Sequence, residues 1–330
     1  MYIVTIDTGT TNTRVCLWQD HHFIDSEKRS VGVRNTSIDG DNHQIMEGIS
    51  EAFLALLSRN RLTERDIYRV LASGMITSQL GLVEIPHAVA PVNIKTLANQ
   101  MHQQVFEQIC EQPIWFITGV KNFAQATTDN WEAMDIMRGE EVEVFAVLQQ
   151  MNNPGPMLVV LPGSHTKFVA ISDAGEIAGS CTTLAGELNA VITHNTILAS
   201  SLDNRFAEQV DNEYLLLGAQ STNRVGLTRS LFSVRVLEQS GKLNHEQLAS
   251  FLLGVIVETD IKAFMHSSAL NYQQSQPVLI CGDSLMAEAF SVLLTECHPQ
   301  VKTLRIQGEE FSNMAGAGCI QVAKAAGLLS

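Results

Sequence analysis

Apolar positions along this chain follow two rhythms, and the changes between them mark its elements. Strands are predicted near 2–6, 14–18 and 22–33, the first two separated by a polar turn. Residues 43–59 then bring Ile45, Ile49, Ala52, Phe53, Leu56 and Leu57 round at helical spacing, which predicts an amphipathic helix. Tyr68 to Ala72 reads as a strand closed by Ser73-Gly74-Met75, followed by a helix near 95–110 and a strand at 114–118. A further helix begins around Met134 to Gly139 and continues through Phe145, Val147 and Leu148 to about Gln150. Asn152-Asn153-Pro154-Gly155-Pro156 is the clearest linker, because its prolines and glycine cannot continue a helix.

The second half starts the pattern again. Strands are predicted near 157–161, 166–172 and 176–183, then helices near 186–201, 226–239 and 244–268. A strand at 277–281, a helix at 284–295, a strand at 301–306 and a terminal helix near 313–326 complete the chain. Strands followed by alternating helices and strands, twice over, predict a duplicated α/β architecture. The expected lobes are residues 1–150 and 151–330, the terminal helix near 313–330 being a candidate to pack back on the first.

Each half opens on a strand that breaks into a glycine turn. In the first, Asp7-Thr8-Gly9-Thr10-Thr11-Asn12-Thr13 precedes Arg14-Val15-Cys16-Leu17-Trp18. In the second, Leu158-Val159-Val160-Leu161 runs into Pro162-Gly163-Ser164-His165-Thr166-Lys167. Gly163 falls on Gly9, Ser164 on Thr10, His165 on Thr11 and Thr166 on Asn12, while Leu161 replaces Asp7. Successive N–H groups around such a glycine form an anion-binding concavity, suited to a phosphate tail held between two halves. Asp7 suits phosphate only with a divalent cation between them, as Mg²⁺ is held by a carboxylate, waters and phosphate oxygens.

Composition narrows the partners. The 330 residues are 45% hydrophobic and 17% charged, a globular profile with room for two cores. A formal charge of −14 argues against nucleic acid, and no apolar run approaches a membrane span. Asp7 interrupts the stretch a signal peptide would need. The six cysteines lack CxxC spacing and the ten histidines lack metal-binding spacing, so a cytoplasmic protein with reduced thiols is expected. Pro277-Val278-Leu279-Ile280-Cys281-Gly282-Asp283-Ser284 is a buried strand ending at glycine, with Asp283 or Ser284 as helix cap. Ligands in α/β sheets bind beyond such strand ends, so Gly282 is a candidate to lie against a nucleoside; a plain cap is the alternative.

Together these pieces resemble the sugar kinase/heat-shock cognate/actin superfamily, and more closely its 2-dehydro-3-deoxygalactonokinase family. The segments carrying the resemblance are Ile6-Asp7-Thr8-Gly9-Thr10-Thr11-Asn12, Ser73-Gly74-Met75-Ile76, Ile136-Met137-Arg138-Gly139-Glu140-Glu141, Leu161-Pro162-Gly163-Ser164-His165-Thr166-Lys167 and Ala185-Gly186-Glu187-Leu188. Thr8 and Ala185 depart from the family's usual tryptophan and threonine. The resemblance implies two actin-like (ribonuclease H-like) lobes around an ATP cleft, a Mg²⁺ ion, and phosphorylation of the terminal hydroxyl of 2-dehydro-3-deoxy-D-galactonate.

By that resemblance Asp7 holds Mg²⁺ through water. Gly9, Thr10, Thr11 and Asn12 meet one side of the phosphate tail, and Gly163, Ser164, His165 and Thr166 the other. Lys167 either neutralises phosphate or turns to solvent. Related sugar kinases place a Gly-Asp pair where Gly139-Glu140 stands, which makes Glu140 the general base and Glu141 the alternative. An acid's own carboxylate asks for an arginine or a helix N-terminus; Arg14, Arg138 and Lys121 are candidates, with a structural role favoured for Arg138, and Ser78, Asn93 and Glu187 are candidates for other polar contacts. Only small molecules are expected as partners, a homodimer being left open. The competing readings are a phosphohydrolase on the same scaffold and a nucleotide-binding regulator or filament subunit.

Overall fold

The computed structural model describes residues 1–151, 155–308 and 313–329. The first half contributes β1 (Tyr2–Thr8), β2 (Thr13–Gln19), β3 (His22–Arg29), β4 (Ile67–Gly74), β5 (Ala88–Val89), β6 (His102–Phe106), β7 (Cys110–Phe116), β8 (Val120–Lys121) and β9 (Ile136–Met137). The second contributes β10 (Met157–Leu161), β11 (Thr166–Ile171), β12 (Ile177–Thr183), β13 (Val278–Cys281) and β14 (Thr303–Ile306). Helices α1 (Val33–Asp39), α2 (His43–Arg59), α3 (Ile94–Asn99) and α4 (Glu140–Gln150) belong to the first half. The second carries α5 (Ala185–Asn195), α6 (Asn212–Val225), α7 (Leu227–Glu238), α8 (His245–His266), α9 (Leu285–Cys297) and a C-terminal helix, Met314–Ala325.

The two large sheets repeat one order. The first runs β3-β2-β1-β4-β7-β6 and the second β12-β11-β10-β13-β14. In each, three antiparallel strands are followed by parallel partners, β1 beside β4 and β10 beside β13. The first sheet adds β6 as an antiparallel edge. Central strands are apolar on both faces, β10 being buried at every position, because helices cover both sides. The C-terminal helix packs on α4 and α3 and reaches β1 and β4. One apolar cluster therefore joins Ile3 of β1, Val142 of α4, Val159 of β10 and Ile320 of the C-terminal helix.

Some elements differ from their sequence patterns. The third strand stops at Arg29 and residues 33–39 are helical. Val33 and Arg34 N–H groups donate to Gly9 O (3.2 Å) and Thr10 O (2.9 Å), tying this helix start to the first hairpin. The expected helix at 95–110 is α3 followed by edge strand β6; pairing of His102–Phe106 onto β7 overrides a spacing compatible with either form. Helix α4 begins only at Glu140, because Ile136 and Met137 pair with β8 and Gly139 turns the chain at φ 112°. Helix α5 ends at Asn195, short of the expected 201. Helix α6 went unpredicted although Leu215, Ala219 and Thr222 form its buried stripe. Asn152, Asn153 and Pro154 of the expected linker lie outside the described residues.

The small sheet β5-β8-β9 is joined to the second half at β12. Val92 and Ile177 exchange backbone hydrogen bonds of 2.9 and 2.8 Å. The buried Asn122 amide donates to Ala133 O (2.7 Å) and Ser180 O (2.8 Å), and its oxygen accepts from Ser180 N–H (2.8 Å). Asn122→Ala is expected to destabilise the protein by about 1–3 kcal/mol, since it leaves buried backbone groups unpaired. An unchanged midpoint in chemical denaturation would contradict this.

Candidate active site

The two glycine hairpins face each other across a cavity of about 330 Å³. Gly9 closes the first turn by donating to Asn12 O at 2.8 Å. Each hairpin rests on a glycine in a segment leading into or starting a helix. A Cβ on Gly32 would lie 2.5 Å from Gly9 O, and one on Gly186 would lie 2.2 Å from Gly163 O. Glu187 N–H then donates to Ser164 O at 2.9 Å, much as Arg34 does to Thr10. The sequence repeat therefore extends to the support behind each turn.

Helix α4 brings carboxylates into this cavity. Gly139 and Gly74 both have positive φ, and a Cβ on Gly139 would come within 3.3 Å of Gly74 Cα. A Cβ on Gly74 would meet Asp7 Oδ1 at 2.8 Å, so the glycine leaves room for that carboxylate. Burial raises the Asp7 pKa to about 6, with Glu140 adding to the shift and Arg14 opposing it. Glu140 lines the cavity and accepts a hydrogen bond from Arg138 N–H at 3.1 Å. Glu141 is fully buried, its two oxygens accepting from Gly139 N–H at 3.0 and 2.8 Å. Burial, then Glu140, pushes its pKa well up. Glu141 caps its own helix behind the cleft; Glu140 faces it.

Glu143, not singled out from the sequence, lies one helical turn beyond Glu140 and lines the same cavity. Burial raises its pKa to about 8, with Asp7 and then Glu140 contributing. The i,i+3 spacing from Glu140 was the available signal. Glu143 also lines an adjoining recess of about 380 Å³ with Thr10, Thr11, Asn12, Arg14 and Asn313.

A second cavity, about 550 Å³, opens on the other side of Glu140. Arg138, Ser78, His87, Lys167 and Asp135 line it. Arg138 donates to Thr77 Oγ1 (2.8 Å) and Ile85 O (2.7 Å), so it is tied into the fold while it lines a cavity. Ser78 Oγ donates to Met75 O at 2.7 Å. Lys167 neither lines the hairpin cavity nor reaches solvent. It is 3% exposed, donates to Ile136 O at 2.8 Å and contacts Thr182 Oγ1. Asn93 instead caps α3 and donates to Glu176 at 3.2 Å, while Lys121 donates to Ala124 O at 2.9 Å. Neither is among the residues lining the two cleft cavities, although Lys121 pairs with Ile136, which lines the larger one. Glu187 is exposed and bonds His165 Nε2 at 3.1 Å on the rim.

Beyond the second hairpin lies a mainly apolar cavity of about 430 Å³, lined by Gly163, Asn189, Phe206, Leu252, Ser284 and Met286 among others. Ser284 caps α9 by accepting from Ala287 N–H at 3.2 Å. Gly282 and Asp283 are not among the lining residues. Gly282 N–H donates to Ile306 O (2.8 Å), and Asp283 accepts from Gly308 N–H (2.9 Å), so both serve the β13–β14 edge. Thr166 is buried behind its hairpin, with its hydroxyl 3.6 Å from Met286 Sδ. Among the described residues, no cluster of three or more His, Cys, Asp or Glu is arranged to hold a metal, and no helix is long and apolar enough to cross a membrane.

Duplicated sheets, paired hairpins and a cleft carboxylate define the class: an actin-like fold, shared with the ADPNP-bound activator of 2-hydroxyisocaproyl-CoA dehydratase from Clostridium difficile (TM-score 0.51, 13% identity, 98% and 96% of the two chains). A Sinorhizobium meliloti protein provisionally assigned as a 2-dehydro-3-deoxygalactonokinase superposes at TM-score 0.75, with 19% identity over 98% of both chains. The Escherichia coli K12 2-dehydro-3-deoxygalactonokinase is 25% identical over 284 residues, 86% of each chain. The 2-keto-3-deoxy-galactonokinase family profile matches residues 7–318. This chain belongs to that family, and is a phosphotransferase with an alcohol acceptor.

The Glu143 environment predicts a pH dependence. Below its ordinary pKa of 4.5 the side chain is protonated whether folded or not. Between 4.5 and about 8 the unfolded chain has lost this proton while the folded one retains it, so this group makes stability fall as pH rises. Glu143→Gln is therefore expected to leave stability at pH 4.5 unchanged and raise it at pH 8 by at least ~1 kcal/mol, one pKa unit's worth. Denaturation midpoints of the nucleotide-free protein check this; equal midpoints at pH 8 would contradict it.

Proposed function

We propose that this protein transfers the terminal phosphoryl group of ATP to the C6 hydroxyl of 2-dehydro-3-deoxy-D-galactonate, in the cytoplasm, as a step of galactonate breakdown. One observation carries the reading: Glu140 lines both the hairpin cavity and the Arg138-bearing cavity beside it. A phosphoryl donor on one side and a hydroxyl on the other would meet at this carboxylate. The names of the family and the E. coli relative supply the sugar acid.

Phosphoryl transfer depends mainly on positioning and charge neutralisation. The apolar cavity beside Ser284 would take the nucleoside. Gly9 and Thr10 from one hairpin, and Gly163, Ser164 and His165 from the other, would hold the phosphates. Asp7 fits a Mg²⁺ site, since its buried carboxylate stands among other acids and a cation would offset that charge; bound there with water and phosphate oxygens, Mg²⁺ would neutralise phosphate charge. Arg138 would offer the acid's carboxylate a positive charge in the acceptor cavity, where Lys167 is already paired with Asp135 at 3.8 Å. Glu140 would take the hydroxyl proton. Glu141, turned inward onto Gly139 N–H, would keep the helix start in place.

Coupled ADP release with a panel of 2-oxo-3-deoxy acids and intact aldonates tests this directly. The expected result is acceptor-dependent turnover highest with 2-dehydro-3-deoxy-D-galactonate, and phosphate at C6 by ³¹P NMR. Free phosphate released at the same rate without any acceptor would favour a hydrolase. Glu140→Gln is expected to lower kcat by about 10²–10⁴, the usual range for a lost general base, with KM for ATP and thermal stability nearly unchanged. Glu141→Gln should leave kcat within about tenfold of the parent. A near-normal kcat for Glu140→Gln would place the base elsewhere.

A further inference from the structure

The cavity beside Ser284 holds two polar side chains that the fold leaves uncommitted. Helix α5 turns one face toward it: Gly186, Asn189, Ala190 and Thr193 all line it, at the i, i+3, i+4 and i+7 positions that share a helix face. Gly186 sits under the second hairpin, where a Cβ would meet Gly163 O at 2.2 Å. Asn189 and Thr193 stand further from that turn, about 4.5 and 10.5 Å along the axis at 1.5 Å per residue. Thr193 is 2% exposed and Asn189 is half-buried. Among the described residues neither the Asn189 amide nor the Thr193 hydroxyl has a hydrogen-bond partner, yet both keep accessible surface. Thr196, which closes the same helix, instead donates to Ile192 O at 2.8 Å, the usual way a helical threonine satisfies its hydroxyl. Ala249, Leu252 and Leu253 of α8 give the cavity an apolar wall.

Position and chemistry together indicate what these groups meet. Phosphates held at the Gly163–Ser164 turn would leave the rest of the nucleotide lying along α5, from Gly186 toward Asn189 and Thr193. The α8 wall suits the flat face of a heterocycle, and the α5 face suits its polar edge. Asparagine presents a carbonyl acceptor beside an NH₂ donor. Adenine presents the complementary pair, an exocyclic amino donor beside a ring-nitrogen acceptor. The Thr193 hydroxyl adds a donor for a further ring nitrogen. We infer that Asn189 and Thr193 bind the edge of the adenine base, Asn189 reading its amino group, and so set the base preference of the nucleotide site. A base lacking that amino group would leave the Asn189 carbonyl buried and unpaired, which costs binding. This assignment rests on the kinase reading above, which gives the cavity to the nucleoside.

Isothermal titration calorimetry with Mg²⁺ and either ADP or purine riboside diphosphate, which lacks only the amino group, tests this on the unmodified protein. The expected result is ADP bound about 3–10-fold more tightly, the range for one neutral hydrogen bond. Equal affinities would overturn the inference, whether or not any variant folds. Asn189→Leu keeps the side-chain volume and removes the amide. This variant should bind both nucleotides alike, near the parent's affinity for the analogue, with KM for the sugar acid unchanged. A preference for ADP retained in Asn189→Leu would overturn the role of Asn189. Thr193→Val, which keeps the shape and drops the hydroxyl, should weaken ADP about threefold or more and leave the preference between the two nucleotides in place; parental ADP affinity would overturn the role of Thr193. ADP bound with the expected preference, but no acceptor-dependent ADP release from ATP, would refute the kinase reading alone, so the two failures are distinguishable.

Discussion

The close approach of Gly139 to Gly74 sets the geometry on which the site depends. Gly139 takes φ 112°, and a Cβ there would press within 3.3 Å of Gly74 Cα. That turn ends the short strand β9 and starts α4 at the next residue. Adjacent helical residues point about 100° apart, so one glutamate faces the cleft and the other is buried. The Glu141 carboxylate then holds Gly139 N–H, which fixes the same turn from below. Asp7 fits beside the pair because Gly74 carries no side chain.

This arrangement concentrates negative charge where a globular core would normally exclude it. Asp7 and Glu143 both titrate well above their ordinary values, with burial as the first cause and neighbouring carboxylates as the next. Arg14 opposes both shifts. Such a cluster costs the free protein stability and is the kind of strain found at sites that bind cations and phosphates. The hairpins contribute the complementary part. Their turns are supported from behind at Gly32 and Gly186, so the hairpin backbones face the cavity on helix-backed elements.

Much of this was legible in the chain. The repeated strand–glycine–hydroxyl pattern located both hairpins, because a close backbone turn leaves glycine and small polar residues at fixed offsets. Helix α2 was readable end to end from its apolar stripe. What failed were features decided by distant partners. Residues 33–39 became a helix because its first N–H groups meet the Gly9–Thr10 turn, and 102–106 became a strand because the edge of β7 was free to pair. Asn93 and Lys121 looked suitable chemically, but Asn93 caps α3 and Lys121 donates to Ala124 O, and neither lines the cleft cavities. Glu143 and His87 lacked any motif of their own. The i,i+3 spacing puts Glu143 on the face of Glu140 only once the helix is known to start at Glu140, and no local pattern brings His87 beside Arg138.

The most direct test of the account is a crystal structure of the protein with a non-hydrolysable ATP analogue, Mg²⁺ and 2-dehydro-3-deoxy-D-galactonate. The account predicts the phosphates between the Gly9 and Gly163 turns and the C6 hydroxyl within hydrogen-bonding distance of the Glu140 carboxylate, with the sugar acid in the Arg138 cavity. A sugar acid bound outside that cavity, or a C6 hydroxyl directed at a different carboxylate, would contradict it.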